Sequence, residues 1–204
     1  MLVIQVKYES FEFNESGNYI VVTNTTTKST NSQVIIYGTY EIIDYSTIVM
    51  SDFGTIKLTM VDENSISFSI QMASNPEANI SINATKQEEM EASTNTDLLC
   101  KTWKMVEVDG EVVVEGSPYD FSVLMSKAGT YFLFYRTSEQ ENSGEIANWK
   151  WKDDTETEFL YSWKNPPVWD EEDRVIILGL STDKLKIKNQ NGIVQVLESA
   201  STTN

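Results

Sequence analysis

Four of the five tryptophans of this chain crowd its last third: Trp149, Trp151, Trp163 and Trp169. Indole rings do no acid–base chemistry. They fill cores, and they stack on sugars and apolar ligands. Trp149 and Trp151 are two apart, so on a strand they share a face. Lys150 and Lys152 then take the other face, which turns the two indoles inward as core or cavity lining. Trp169 stands in a Pro-rich, acidic stretch, Asn165–Asp173, where a core role is weaker. A loop tryptophan near a barrel mouth is the preferred functional residue. Trp163 and Tyr131 complete the candidate ligand-binding set.

The catalytic inventory is thin. There is no histidine, which removes the commonest general base and the commonest transition-metal ligand. The single cysteine, Cys100, can form no internal disulfide. Without a nearby base it reads as a small core residue rather than a nucleophile. Asp170, Glu171, Glu172 and Asp173 lack the alternating spacing and the turn glycine of a calcium loop, so they read as solvated charge. Paired carboxylates for glycoside hydrolysis carry little weight, because 31 acidic residues make close pairs by chance. No catalytic residue, metal or cofactor is expected, and the chain reads as a non-enzyme.

A net charge of −16 repels nucleic acid and anionic membranes. No apolar run is long enough to span a bilayer. Asn14, Asn24, Asn79 and Asn83 sit in Asn-x-Ser/Thr patterns, expected incidentally in so Ser- and Thr-rich a chain.

Strands must position these residues. Nearly every segment alternates apolar and polar residues; Ile66, Phe68 and Ile70 with their intervening serines are the clearest case. Thr23–Ser32 reads as a polar loop. Gly38 inside the strand 34–43 marks a bulge or a close approach, and Asp109-Gly110 marks a hairpin. Between 85 and 96 the alternation fades. Lys86–Ala92 has helix-forming composition, with Thr85 as a plausible cap.

The chain also repeats itself. Gly17 and Tyr19 return as Gly129 and Tyr131 in similar surroundings. Tyr40 matches Trp151, and Ile66 and Phe68 match Leu185 and Ile187, once the 165–173 insertion is allowed for. The counterpart of Trp103 would precede residue 1. The first copy therefore either lacks its opening strand, through loss of upstream sequence, or closes differently.

The motifs Leu98-Leu99-Cys100-Lys101-Thr102-Trp103, Ala128-Gly129-Thr130-Tyr131 and Asn148-Trp149-Lys150-Trp151 resemble the lipocalin-like proteins of Bacteroidetes over 97–198. The first half resembles the same pattern through Ser16–Tyr19 and Tyr37–Tyr40. Cys100, with one extra residue, stands where lipocalins carry the glycine of their first-strand Gly-x-Trp. The resemblance implies a calycin-type antiparallel barrel or sandwich on a secreted or lipid-anchored protein, and no catalytic residue.

The expectation is an all-β chain of two antiparallel lipocalin-like modules. Module one spans 1–84, a linker or short helix 85–96, module two 97–198, and a fraying tail 199–204. The expected role is an extracytoplasmic, non-catalytic binding protein for an apolar small molecule or a glycan, its export signal outside this sequence. The alternative is a structural or adhesive surface protein that docks protein partners through its β modules.

Overall fold

The computed structural model describes residues 5–26, 31–135 and 144–200. The chain divides into two compact units, Met1–Glu88 and Glu89–Asn204. Both are antiparallel β structures, as the alternation and the β-branched and aromatic residues dictate. No helix among the described residues is long and apolar enough to cross a membrane.

The first unit is one sheet of seven strands in sequence order: β1 (Gln5–Phe13), β2 (Asn18–Thr26), β3 (Asn31–Asp44), β4 (Thr47–Met50), β5 (Gly54–Val61), β6 (Ser65–Met72) and β7 (Asn79–Thr85). The sheet curls into a half-barrel. Phe11 of β1 meets Phe68 of β6 edge to face, with ring centroids 5.2 Å apart. Tyr19, Val21, Met50, Ile56 and Ile70 fill the concave side. Thr23 to Thr26 and Asn31 to Gln33, expected as loop, are strand instead. Thr23 pairs with Val34 and Asn24 with Gln33, so their polar side chains do not outweigh backbone pairing. Residues 27–30 of that expected loop, and 1–4 of the opening segment, lie outside the described residues.

The second unit closes. Helix α1 (Thr94–Leu99) leads into β8 (Thr102–Val108) and the short return β9 (Glu111–Val112), with the hairpin at Asp109-Gly110 as expected. Seven more strands follow: β10 (Phe121–Met125), β11 (Thr130–Tyr135), β12 (Gly144–Trp151), β13 (Glu158–Ser162), β14 (Arg174–Leu180), β15 (Lys184–Asn189) and β16 (Val194–Ser199). β8 pairs with both β10 and β16, which completes an eight-stranded barrel. Its interior is solid with side chains: Trp103, Met105, Met125, Trp149, Phe159, Leu185 and Leu197 are all essentially inaccessible.

Of the linker or short helix expected over 85–96, residues 86–92 form the linker, without helix. A helix starts only at Thr94, about two turns beyond Lys86, where Ser93 caps it by accepting from the Thr96 N–H at 2.9 Å. Residues 86–92 offer no apolar stripe, whereas Thr96 and Leu99 are buried by the helix that does form. The expected fraying tail begins later than 199. Ser199 N–H donates to Asp183 and Ala200 N–H to Thr102, both at 2.9 Å. Residues 201–204 lie outside the described residues.

The duplication is visible bond by bond. The Asn14–Gly17 turn and the Ser126–Gly129 turn close identically, Gly17 N–H donating to Asn14 O and Gly129 N–H to Ser126 O, both at 3.1 Å. Tyr40 N–H donates to Gly17 O at 2.9 Å, and Trp149 N–H to Gly129 O at 2.8 Å. The same two side chains cap the turn from inside. The Tyr40 hydroxyl donates to Asn14 O at 2.8 Å, and Trp149 Nε1 donates to Ser126 O at 2.9 Å. Tyr40 therefore corresponds to Trp149, not to Trp151. The expected match slipped two residues along the strand, a shift that keeps the face and so hides in an alternating pattern. The match of Ile66 and Phe68 to Leu185 and Ile187 stands, since Ser65 and Lys184 close equivalent hairpins.

The cap is testable. Tyr40→Phe deletes one donor at almost constant volume and leaves the Asn14 carbonyl without it. The expected cost is about 1–3 kcal/mol. It is read from denaturant unfolding followed by the near-ultraviolet circular dichroism of the tyrosines. Tryptophan fluorescence should not move, because all five tryptophans lie in the second unit.

Candidate functional site

One row across the barrel wall carries the site. Tyr131 on β11 pairs with Ala147 on β12, and Trp149 on β12 pairs with Tyr161 on β13. Alternation puts Tyr131, Ala147, Trp149 and Tyr161 on the inner side, with Trp163 just past the end of β13 on the same face. The methyl of Ala147 is small enough for rings to meet above it. Tyr131 and Tyr161 stack at 5.7 Å and 18°. Trp163 stands edge-on to both, 6.1 Å from Tyr131 and 6.0 Å from Tyr161. Trp163 is 45% exposed. The cluster therefore opens to solvent at the rim where β13 gives way to the 163–173 loop.

The opposite end of β13 is sealed. Glu156, just before β13, holds α1 in place: its carboxylate accepts from Ser93 Oγ at 2.6 Å and its carbonyl from Asn95 Nδ2 at 3.3 Å. Trp103 Nε1 donates to Leu99 O at 2.8 Å, and Trp151 Nε1 donates to Thr96 Oγ1 at 2.9 Å. Trp149 and Trp151 pack edge to face at 5.4 Å within this core. Of the five expected site residues, then, Tyr131 and Trp163 come together, while Trp149 and Trp151 are built into the barrel interior. Trp169 stands apart. Its ring lies 4.9 Å from Lys150 Nζ, and Lys150 projects from the outward face of β12, so Trp169 packs on the outer wall.

Two residues of the cluster escape a reading by residue type. Tyr161 shares the period-two face of Phe159 and Trp163, a signal present in the sequence. Tyr135 lies on β11 in phase with Tyr131, packs its ring against Phe121 and acts on Tyr131 only electrostatically. Its phenol faces Glu145 at 3.4 Å.

The first unit shows what is particular about this cluster. Tyr19, the counterpart of Tyr131, is completely buried, and its hydroxyl donates to Ser51 O. Gly38 lies beneath it, and a Cβ there would stand 2.9 Å from the ring, the close approach expected of that glycine. Phe53, only 3% exposed, covers Tyr19 from the tight 52–54 turn. In the second unit that turn is replaced by the longer 163–173 loop. Tyr131 is left half-buried, and among the described residues neither its hydroxyl nor that of Tyr161 has a hydrogen-bond partner.

The electrostatics follow from burial. Removal from water pushes the Tyr131 phenol far above its ordinary range, and the neighbouring phenols of Tyr161 and Tyr135 add to the shift. Burial, then the Asp173 carboxylate, raises Tyr161. Burial, then Glu145, raises Tyr135. The site is thus a set of neutral phenols with carboxylates at its border, an environment that favours neutral hydrogen-bonding groups over anions.

Two members of the acidic run 170–173, Asp170 and Glu171, have partners. Asp170 caps a single 3-10 turn over Glu171–Asp173, accepting from the Glu172 N–H at 3.2 Å. Glu171 and Glu158 both face Lys152, at 3.3 and 3.0 Å, and Arg174, at 3.9 and 3.5 Å. Among the described residues no three His, Cys, Asp or Glu side chains converge as a metal site.

The chain matches no protein-family model, no curated protein and no solved structure.

Alkaline titration tests this description. The ordinary tyrosine value is about 10. Folded Tyr131 keeps a proton that the unfolded chain loses above that pH, so this group's stabilising contribution falls as pH rises past about 10. Tyrosinate absorbance should show a last-titrating phase that disappears in Tyr131→Phe. The stability gap between wild type and Tyr131→Phe should shift in the variant's favour over the same alkaline range.

Proposed function

We propose that the second unit is a non-catalytic binding module whose ligand, a glycan, lies on Tyr131, Tyr161 and Trp163 at the β13 rim. The observation that carries this is the pair of half-buried phenols without protein partners beneath an exposed indole. A sugar presents an apolar C–H face for the rings and hydroxyls for the phenols. An apolar ligand inside the lumen is less well supported: the interior is filled by side chains such as Trp103, Met105 and Trp149. A fatty-acid carboxylate would also meet Asp173 and Glu145 near these phenols.

The lipocalin-like assignment remains part of this reading. It is supported by the eight-stranded antiparallel closure and by a buried tryptophan, Trp103, at the start of the first barrel strand. The extracytoplasmic placement, secreted or lipid-anchored, rests on the sequence resemblance alone. The absence of catalysis is supported by the lack of histidine and by the cap and ion pairs that engage Asp170, Glu171 and Glu158.

Tryptophan fluorescence titrated with a panel of neutral oligosaccharides and with fatty acids tests the proposal. At least one glycan should shift the emission. Trp163→Phe and Tyr131→Phe should each weaken that binding by about tenfold, the worth of one stacking or hydrogen-bonding contact, with Trp169→Phe unchanged. A saturable response to fatty acids alone, or glycan binding indifferent to Trp163 and Tyr131, would remove the reading.

A further inference from the structure

Among the described residues the half-barrel has two unpaired edges, β1 and β7, and they are built differently. β1 carries Lys7, Glu9 and Glu12 and a bulge between Tyr8 and Ser10, the usual devices that keep an edge from pairing. β7 has none of them. Its seven residues, Asn79-Ile80-Ser81-Ile82-Asn83-Ala84-Thr85, include no charge and no proline, and they pair with β6 in unbroken register. β2, β4 and β6 of this unit are uncharged too, but each is paired on both sides; β7 is the uncharged strand left at an edge among the described residues.

The register tells which groups are free. Lys86 N–H donates to Asn64 O at 2.9 Å, so the narrow pairs that follow hold Ile80, Ile82 and Ala84 to β6. The N–H and C=O groups of Ser81, Asn83 and Thr85 point the other way. Among the described residues no strand pairs with that side. In the closed barrel the corresponding strand, β16, is paired there by β8, and its Val196 and Leu197 are buried. The apolar residues of β7 are only half-buried.

We propose that β7 pairs antiparallel with β7 of a second copy of this chain, centred on Ile82. That register sets Ile82 against Ile82, Ser81 against Asn83, Ile80 against Ala84 and Asn79 against Thr85. Polar thus meets polar and apolar meets apolar, as a two-fold contact requires. It also sets Lys86 of one copy level with Ala78 of the other, beside Glu77, so the ends attract. A chain of net charge −16 repels its own copies on average, and this uncharged strand adds nothing to that repulsion. The contact is small, so the dimer forms by mass action.

Sedimentation over a dilution series of about two decades in concentration tests it, together with amide exchange. Wild type should pass from monomer to dimer, with the Ser81 and Asn83 amides gaining protection as concentration rises. Ser81→Pro deletes one outward-facing N–H that no internal bond uses, and should leave the chain folded and monomeric. A Ser81→Lys, Asn83→Lys double variant places lysine opposite lysine. It should also be monomeric, although it lowers the net charge and so the general repulsion. A wild type that stays monomeric throughout, open-ended polymers, or a dimer that persists in both variants overturns the proposal.

Discussion

The structure turns on where the backbone of one strand finds partners. β8 offers N–H and C=O groups on both sides and is met on both, by β10 and by β16. That single insertion removes every edge from the principal sheet of the second unit. It also fixes the indole of Trp103 under the carbonyl of Leu99 and so seats α1 at one end. In the first unit the strands corresponding to β10 and β16 are β1 and β7, and among the described residues nothing stands between them. There the interior closes by curling: Phe11 crosses to Phe68, and the Tyr8 hydroxyl lies 3.9 Å from the sulfur of Met72. One shared pattern thus meets the requirement that apolar faces be covered in two ways, once with backbone pairing and once with large rings.

The same divergence operates at the scale of a single residue. Tyr19 and Tyr131 share a register and a backbone turn. Tyr19 is bound to Ser51 and covered by Phe53. Tyr131 has only ring neighbours, Tyr161 and Trp163, and an opening to solvent. The difference comes from the chain after Ser51 and after Ser162: a short turn delivers a lid, a longer loop does not. The second copy thus holds a phenol without the hydrogen bond its counterpart makes, an arrangement that costs stability unless a ligand or water completes it.

Much of this was legible beforehand. Alternation gave the strands. The Gly17–Tyr19 and Gly129–Tyr131 pair gave the duplication. The lysines flanking Trp151 turned Trp149 and Trp151 inward. Trp169 was harder: its loop is acidic and Pro-rich, but cation–π contact with Lys150 on the outer wall depends on the path of that loop, which no periodicity encodes. Tyr161 could be read from its phase with Trp163. Tyr135 could be read in the same way, from its phase with Tyr131 on β11.

By itself the sequence determined the class of structure, the repeat, the absence of histidine chemistry and the faces on which side chains lie, because strand geometry repeats every two residues and composition is fixed. Only the tertiary structure decided which unit closes, where the helix starts, which tyrosine keeps a free hydroxyl and which edge stays unprotected. Those outcomes depend on contacts between strands far apart in the chain, and on whether a loop between two matched positions is long enough to cover what its shorter counterpart covers.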